Sequence, residues 1–223
     1  MEFLERLDQS VAPWFEAHQA PWLDRVMVWI TTLGSSEVVY GVAIAAVVVL
    51  LAARRMRTAA LVVAVTLCAR LLTNQVKALV GRERPRPPGV HPTFDSFPSG
   101  HALLSAAVYI TVVLVAIGWL RRPQQRVLVV SAGFVLVFLI GVSRLYLGVH
   151  YAMDVVAGWM AGLGLALVGR WLDELWQRRA SARWHQRRGS RSEEPKAPSV
   201  DGSGAATARA GTSAGGTPSG PTS

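Results

Sequence analysis

The chain has a single cysteine in 223 residues, Cys68. No internal disulfide can form, so no cross-linked scaffold holds this fold. Cys68 lies within an apolar segment, where the role of a small core residue is expected. Acidic residues are also scarce, 14 against 23 Lys and Arg, and between Asp95 and Asp173 there is only Asp154. A carboxylate set among apolar residues requires a partner, because an unpaired charge there is costly. The five histidines (His18, His91, His101, His150, His185) show no metal-ligand spacing with a second acid or a cysteine. Neither a metal site nor a cofactor is expected. The N-terminus opens with Glu2, Glu5 and Asp8 instead of a basic stretch, so no cleavable signal peptide is expected. Beyond Gly189 there is no aromatic residue. Ser, Gly, Ala, Thr and Pro dominate that tail, which cannot bury a core.

What the chain does have is long apolar runs. Residues 58–76, 100–120, 127–142 and 151–172 each approach or reach the length that crosses a bilayer core, and 37–53 joins them. Residues 21–33 place Trp22, Val26, Trp29, Ile30 and Leu33 near one helical face, as in a short helix lying in the interface; a span over 14–33 is the alternative. The expected fold is an all-α membrane protein, a bundle of five transmembrane helices (six if 14–33 also crosses) with a short N-terminal amphipathic helix. Three regions follow: an N-terminal polar and interfacial segment over 1–36, a transmembrane domain over 37–172, and a basic, then low-complexity, cytoplasmic tail over 173–223.

A net charge of +9 invites a nucleic-acid reading. Its placement argues otherwise. Basic residues gather at Arg54, Arg55 and Arg57, at Arg121, Arg122 and Arg126, and from Arg170 to Arg191, all between or after apolar runs. Alternating helices starting from an outside N-terminus put the three clusters on one face, the inner one by the positive-inside rule. Membrane lipids, not nucleic acid, are the expected surroundings.

Three polar motifs stand at the opposite ends of the same runs. In the first, Lys77 is followed seven residues on by Arg84-Pro85. Arg70, Asn74 and Lys77 share a helical face, so Arg70 is expected to look into the bundle. The second is Pro98-Ser99-Gly100-His101 at the start of a run. Ser99 stands where an N-cap would, its hydroxyl and the next amides able to face an anion, while Gly100 admits close approach. The third is Ser143-Arg144, then His150 and Asp154. Arg144 can fork two donors onto two oxygens. His150 and Asp154 lie four apart at a helix start, hence on one face. A carboxylate on one ring nitrogen fixes the tautomer and leaves the other nitrogen free to attack phosphorus. His101 is then free to act as general acid. Taken singly, each arginine reads equally well as a headgroup contact, and each histidine as a helix-start residue. Taken together they do not: the second and third motifs each arise by chance about once in a thousand chains of this length. Cations, helix-start amides and two histidines are what phosphoryl transfer requires.

The pattern Lys77-x6-Arg84-Pro85, Pro98-Ser99-Gly100-His101 and Ser143-Arg144-x5-His150-x3-Asp154 resembles the three signatures of the type 2 phosphatidic acid phosphatase superfamily, over about residues 21–172. The resemblance implies an all-helical, metal-independent histidine phosphatase with an outward-facing site. It implies that Lys77, Arg84, Ser99, Gly100 and Arg144 bind phosphate, that His150 becomes a phospho-histidine, that Asp154 orients it, and that His101 protonates the leaving group. The expected function is hydrolysis of a lipid phosphomonoester or pyrophosphate at the cell membrane. Undecaprenyl pyrophosphate is the first candidate, followed by phosphatidic acid and phosphatidylglycerophosphate, the lipid being read by span surfaces and the 86–97 loop. Rival readings are a lipid phosphotransferase with the same site, a vanadate-dependent haloperoxidase, which the spans argue against, and a non-enzymatic membrane scaffold.

Overall fold

The computed structural model describes residues 8, 11, 13–82, 84 and 95–192, with the backbone alone over 180–192. Pro85, the loop residues 86–94 including His91, and the low-complexity tail over 193–223 lie outside the described residues. Residues 1–181 form one compact unit; 182–223 form a second, described only as helical backbone over 182–192.

Among the described residues, helical backbone at 13–17 is followed by six longer helices: α1 Pro21–Leu33, α2 Ser36–Ala52, α3 Met56–Val80, α4 Gly100–Ala116, α5 Pro123–Tyr146 and α6 Ala152–Ser192. Local chemistry sets their ends. Proline occupies the first turn of α1 and of α5, where its missing N–H is not required. Ser35 caps α2 by accepting from the Val38 N–H at 3.4 Å. Residues 117–122 turn the chain between α4 and α5.

α3, α5 and residues 152–179 of α6 are each long and apolar enough to cross a membrane, and α1 with α2 passes the same test as a pair bent by 45°. α4 is apolar but has only 17 residues. At 1.5 Å per residue it reaches about 26 Å, short of a hydrocarbon core of about 30 Å. The five expected spans thus correspond to α2 through α6, and α1 is the helix expected over 21–33. No residue of α1 is fully buried; Trp22 and Trp29 are both more than two-thirds exposed.

α4 is the axis of the bundle. Ala102 through Thr111 and Val113 are all buried, and the helix packs on α2, α3 and α5. The other helices are buried along one face and expose apolar side chains on the other, including Ile44, Leu67, Phe134, Phe138, Met160 and Leu167. That is the pattern of helices facing hydrocarbon, where small residues rather than large apolar ones mediate helix contact. α6 follows this rule. A side chain at Gly158 would lie 2.9 Å from the Ser99 carbonyl, and one at Gly162 would lie 2.4 Å from the Leu103 carbonyl. Trp159 of α6 lies across Gly141 of α5 and donates to the Val137 carbonyl at 3.1 Å. The elbow between α1 and α2 is as tight: a Cβ on Gly34 would meet Ile140 Cγ2 at 2.4 Å and the His101 ring at 3.2 Å.

Two expectations for α3 need correction. Arg70 and Asn74 are exposed, and the buried stripe is Thr66, Ala69 and Thr73, continuing to half-buried Lys77. The interior face is rotated by one residue from the polar stripe read in the sequence. Arg70 is long enough to carry its charge along the helix toward water without entering the bundle. Cys68 is likewise exposed on the outer surface of α3 and is not a core residue.

Candidate active site

The C-terminal ends of α3 and α5 and the N-terminal ends of α4 and α6 meet at one end of the bundle, and each carries one part of a polar cluster. Lys77 occupies the last turn of α3 and donates from Nζ to the Asp95 carbonyl at 3.0 Å. Arg82 and Arg84 follow the helix end at Gly81. Residues 95–99 then lead into α4, where Ser99 holds the N-cap position but makes no capping bond. Instead the Ser99 N–H donates to the Asp154 carbonyl at 3.0 Å, which ties the start of α4 to the first turn of α6.

From the last turn of α5, Arg144 donates from one terminal nitrogen to Thr31 Oγ1 of α1 at 2.7 Å. Ser143 is buried and donates to the Ile140 carbonyl at 2.6 Å, a helix-internal bond that leaves it no role toward an anion. Two buried side-chain polar atoms among the described residues have no hydrogen-bond partner: Ser99 Oγ and Arg144 Nε. Buried polar atoms are nearly always paired. Both of these belong to residues expected to bind phosphate, whose oxygens would satisfy them.

His150 lies in the 147–151 loop, outside the spans, and is 4 % exposed; Asp154, one turn into α6, is wholly buried. His150 Nδ1 is 3.5 Å from Asp154 Oδ2. Ser96 stands beside both, 3.4 Å from Nδ1 and donating to Oδ2 through a short bond. The Tyr151 N–H also donates to Oδ2, at 3.0 Å. The other carboxylate oxygen, Oδ1, takes Arg82 at 2.8 Å. Nδ1 therefore faces the acid, and Nε2 is the nitrogen left to act. Burial pushes the imidazole below its ordinary range, the charges of Arg144 and Arg84 add to this, and the bond to Asp154 opposes it.

His101 opens α4 and lies within electrostatic reach of Arg144, His150, Arg84 and Lys77. The structure thus brings to this end of the bundle the residues expected from the sequence to form the site: Lys77, Arg84, Ser99, Gly100, His101, Arg144, His150 and Asp154. Among the described residues no group of three or more His, Cys, Asp or Glu converges as a metal site.

Sequence reasoning missed Ser96, Asp8, Thr31 and Arg82 as parts of the site. Ser96 gives no spacing signal. Asp8 lies 74 positions from Arg82, whose second nitrogen it accepts. For Asp8 and Arg82 the one available hint is the shortage of acids, which leaves the motif cations Lys77, Arg84 and Arg144 with few partners.

The chain resembles known proteins in sequence and in fold. The sequence pattern of the PAP2 superfamily matches residues 58–178. Phosphatidylglycerophosphatase B of Bacillus subtilis is 31% identical over 174 residues, which cover 77% of this chain and 85% of that protein. An undecaprenyl-diphosphatase of Sulfolobus acidocaldarius is 37% identical over a shorter stretch, 32% of this chain and 30% of that one. The crystal structure of the PAP2-type phosphatidylglycerolphosphate phosphatase of Bacillus subtilis superposes with a TM-score of 0.72 at 30% identity, over 78% of this chain and 88% of its own. With the match extending over more than half its length and through all three motifs, the chain belongs to the PAP2 superfamily.

Proposed function

We propose that this multi-pass membrane protein is a lipid phosphatase working at the extracytoplasmic face of the cell membrane. The observation that carries the reading is the pair of buried, unpartnered donors, Ser99 Oγ and Arg144 Nε, beside the His150–Asp154 pair. A phosphate seated there accepts from both, from the amides at the start of α4, and from Lys77 and Arg84. His150 Nε2 attacks phosphorus as the bond to the lipid oxygen breaks, and His101 gives that oxygen its proton. Water then attacks the phospho-histidine, His101 taking the proton back, and inorganic phosphate leaves. The negative charge of the bound phosphate offsets the cations around His101, which favours the protonated ring needed in the first step.

The outward orientation rests on the arginine clusters. Arg54, Arg55, Arg121 and Arg122 lie at the helix ends remote from the motifs, where Arg55 stacks on Trp119 at 5.3 Å. The shortness of α4 supports a position for Ser99, Gly100 and His101 at headgroup depth, where a lipid phosphate resides. Alignment over most of the Bacillus subtilis phosphatidylglycerophosphatase puts phosphatidylglycerophosphate ahead of undecaprenyl pyrophosphate as the first substrate to test.

The test is a panel of these lipids and phosphatidic acid, each labelled in the terminal phosphate. Expected are release of inorganic phosphate and transient label on the protein. Absence of turnover on the whole panel refutes the reading, and label passing only to an added alcohol shows a transferase. The pH profile gives a second check. Since His150 titrates below its ordinary value of about 6.5, it remains neutral where free imidazole takes up a proton. The acid limb of kcat/KM is therefore expected below about pH 6.5. An acid limb above that value contradicts the burial argument.

A further inference from the structure

Arg82 belongs to none of the three motifs as phosphate ligand or catalyst, yet it is held by two carboxylates and an aromatic ring. One terminal nitrogen donates to Asp154 Oδ1 at 2.8 Å, and the other to Asp8 Oδ2 at 2.7 Å. Its guanidinium lies 4.2 Å over the Tyr151 ring. Its own carbonyl accepts from the Ser96 N–H at 2.6 Å. Asp8 is 5 % exposed, and its second oxygen accepts from the Met153 N–H at the start of α6, at 3.1 Å. Asp8 thus grips both Arg82 and the helix that carries Asp154.

We propose that Arg82, clamped by Asp8, is a positioning residue that holds the Asp154 carboxylate so that Asp154 can hold His150. The inference rests on the reading of His150 as nucleophile. The two oxygens of Asp154 divide the work: Oδ1 is anchored by the Arg82 cation, while Oδ2 faces His150 Nδ1. Without that cation, a carboxylate buried this deeply takes up a proton. A protonated Asp154 no longer demands an N–H on Nδ1, so the proton can settle on Nε2 and occupy the lone pair that attacks phosphorus. Both terminal nitrogens of Arg82 are already engaged with carboxylates. In this Arg82 differs from Arg144, whose Nε is open. Its loss should therefore slow the chemical step without weakening the grip on phosphate.

The experiment uses the full chain in detergent and compares Arg82→Gln, Arg82→Lys, Asp8→Asn and His150→Ala. The readouts are kcat on a lipid phosphate and the inhibition constant of inorganic phosphate, which probes the cradle directly. For Arg82→Gln, kcat is expected to fall about 10- to 100-fold, as for other residues that orient a catalytic ligand, with phosphate inhibition unchanged. Arg82→Lys keeps the charge and should recover part of the loss. Asp8→Asn retains an acceptor for Met153 and should move in the same direction by less. A wild-type kcat in Arg82→Gln overturns the proposal, and so does phosphate inhibition that weakens in step with kcat, which makes Arg82 a phosphate ligand. Should Arg82→Gln fail to fold, Asp8→Asn decides by the same two readouts. If His150→Ala is inactive while both Arg82→Gln and Asp8→Asn behave as wild type, the positioning role alone falls. If His150→Ala retains turnover, the nucleophile reading falls and takes this inference with it.

Discussion

His150→Ala is expected to abolish turnover, a loss on the order of ten thousand-fold or more, while the protein still folds in the membrane. The size of the loss follows from covalent catalysis: no nearby side chain replaces the attacking Nε2, and water must then reach phosphorus unaided. Folding should survive because the most delicate group around the ring stays paired. Asp154 still receives Arg82, Ser96 Oγ and the Tyr151 N–H after the imidazole is gone. The structural penalty is then that of one buried polar contact, about 1–3 kcal/mol. Comparison with His101→Ala separates the two histidines. General acid help matters only when the leaving oxygen is poor. His101→Ala should therefore regain much of its rate on an aryl phosphate, whose phenolate leaves without protonation, whereas His150→Ala should remain inactive on any substrate. Thermal unfolding in detergent checks the fold, and release of inorganic phosphate checks the activity. Substantial turnover by a folded His150→Ala would remove the phospho-histidine from the mechanism.

The division between what was legible in the sequence and what was not has a physical basis. Spans are long, local and chemically uniform, so α2 through α6 could be read from apolar runs alone. The motif residues could be read because in-line transfer requires particular chemical types, and His150 and Asp154 are fixed relative to each other by one helical turn. Helix rotation was harder. Along α3, a shift of one residue decides whether Arg70 or Ala69 faces the bundle, and a long arginine tolerates either placement because its charge can travel to water. Contacts between remote segments left almost no trace. The Arg144–Thr31 bond joins residues 113 positions apart, and the Tyr146 hydroxyl donates to Asp24 across 122. Neither Thr31 nor Asp24 stands out in a sequence, since threonines and first-turn acids are common in any helix. Thr31 and Asp24 of α1 hold Arg144 and Tyr146 at the end of α5.

The second large effect is expected at Gly162, outside the polar cluster. A methyl there would lie 2.4 Å from the Leu103 carbonyl, 2.7 Å from Ala106 Cβ and 2.9 Å from the Ala107 N. Two of these three atoms are backbone of the central helix and cannot yield. Ala is ordinarily favoured over Gly in a helix by about 1 kcal/mol. The clash outweighs that gain, so Gly162→Ala should be destabilising by about 2 kcal/mol or more, and Gly162→Leu by more still. The consequence reaches the site through rigid helices. α6 carries Asp154 and follows directly on His150; α4 begins at the phosphate cradle; and the Ser99 N–H bonds the Asp154 carbonyl between them. Prising the two helices apart at Gly162 moves the nucleophile against the cradle. A misplacement of about 1 Å is enough for a loss on the order of a hundredfold in rate. Gly164 supplies the control on the same helix, since a side chain there meets nothing within 4 Å. Gly164→Ala should leave turnover intact and stability equal or slightly higher. Equal melting temperatures and rates for the two alanine variants would show that α6 does not rest on α4 through this contact, and that something other than helix packing aligns His150 with Ser99.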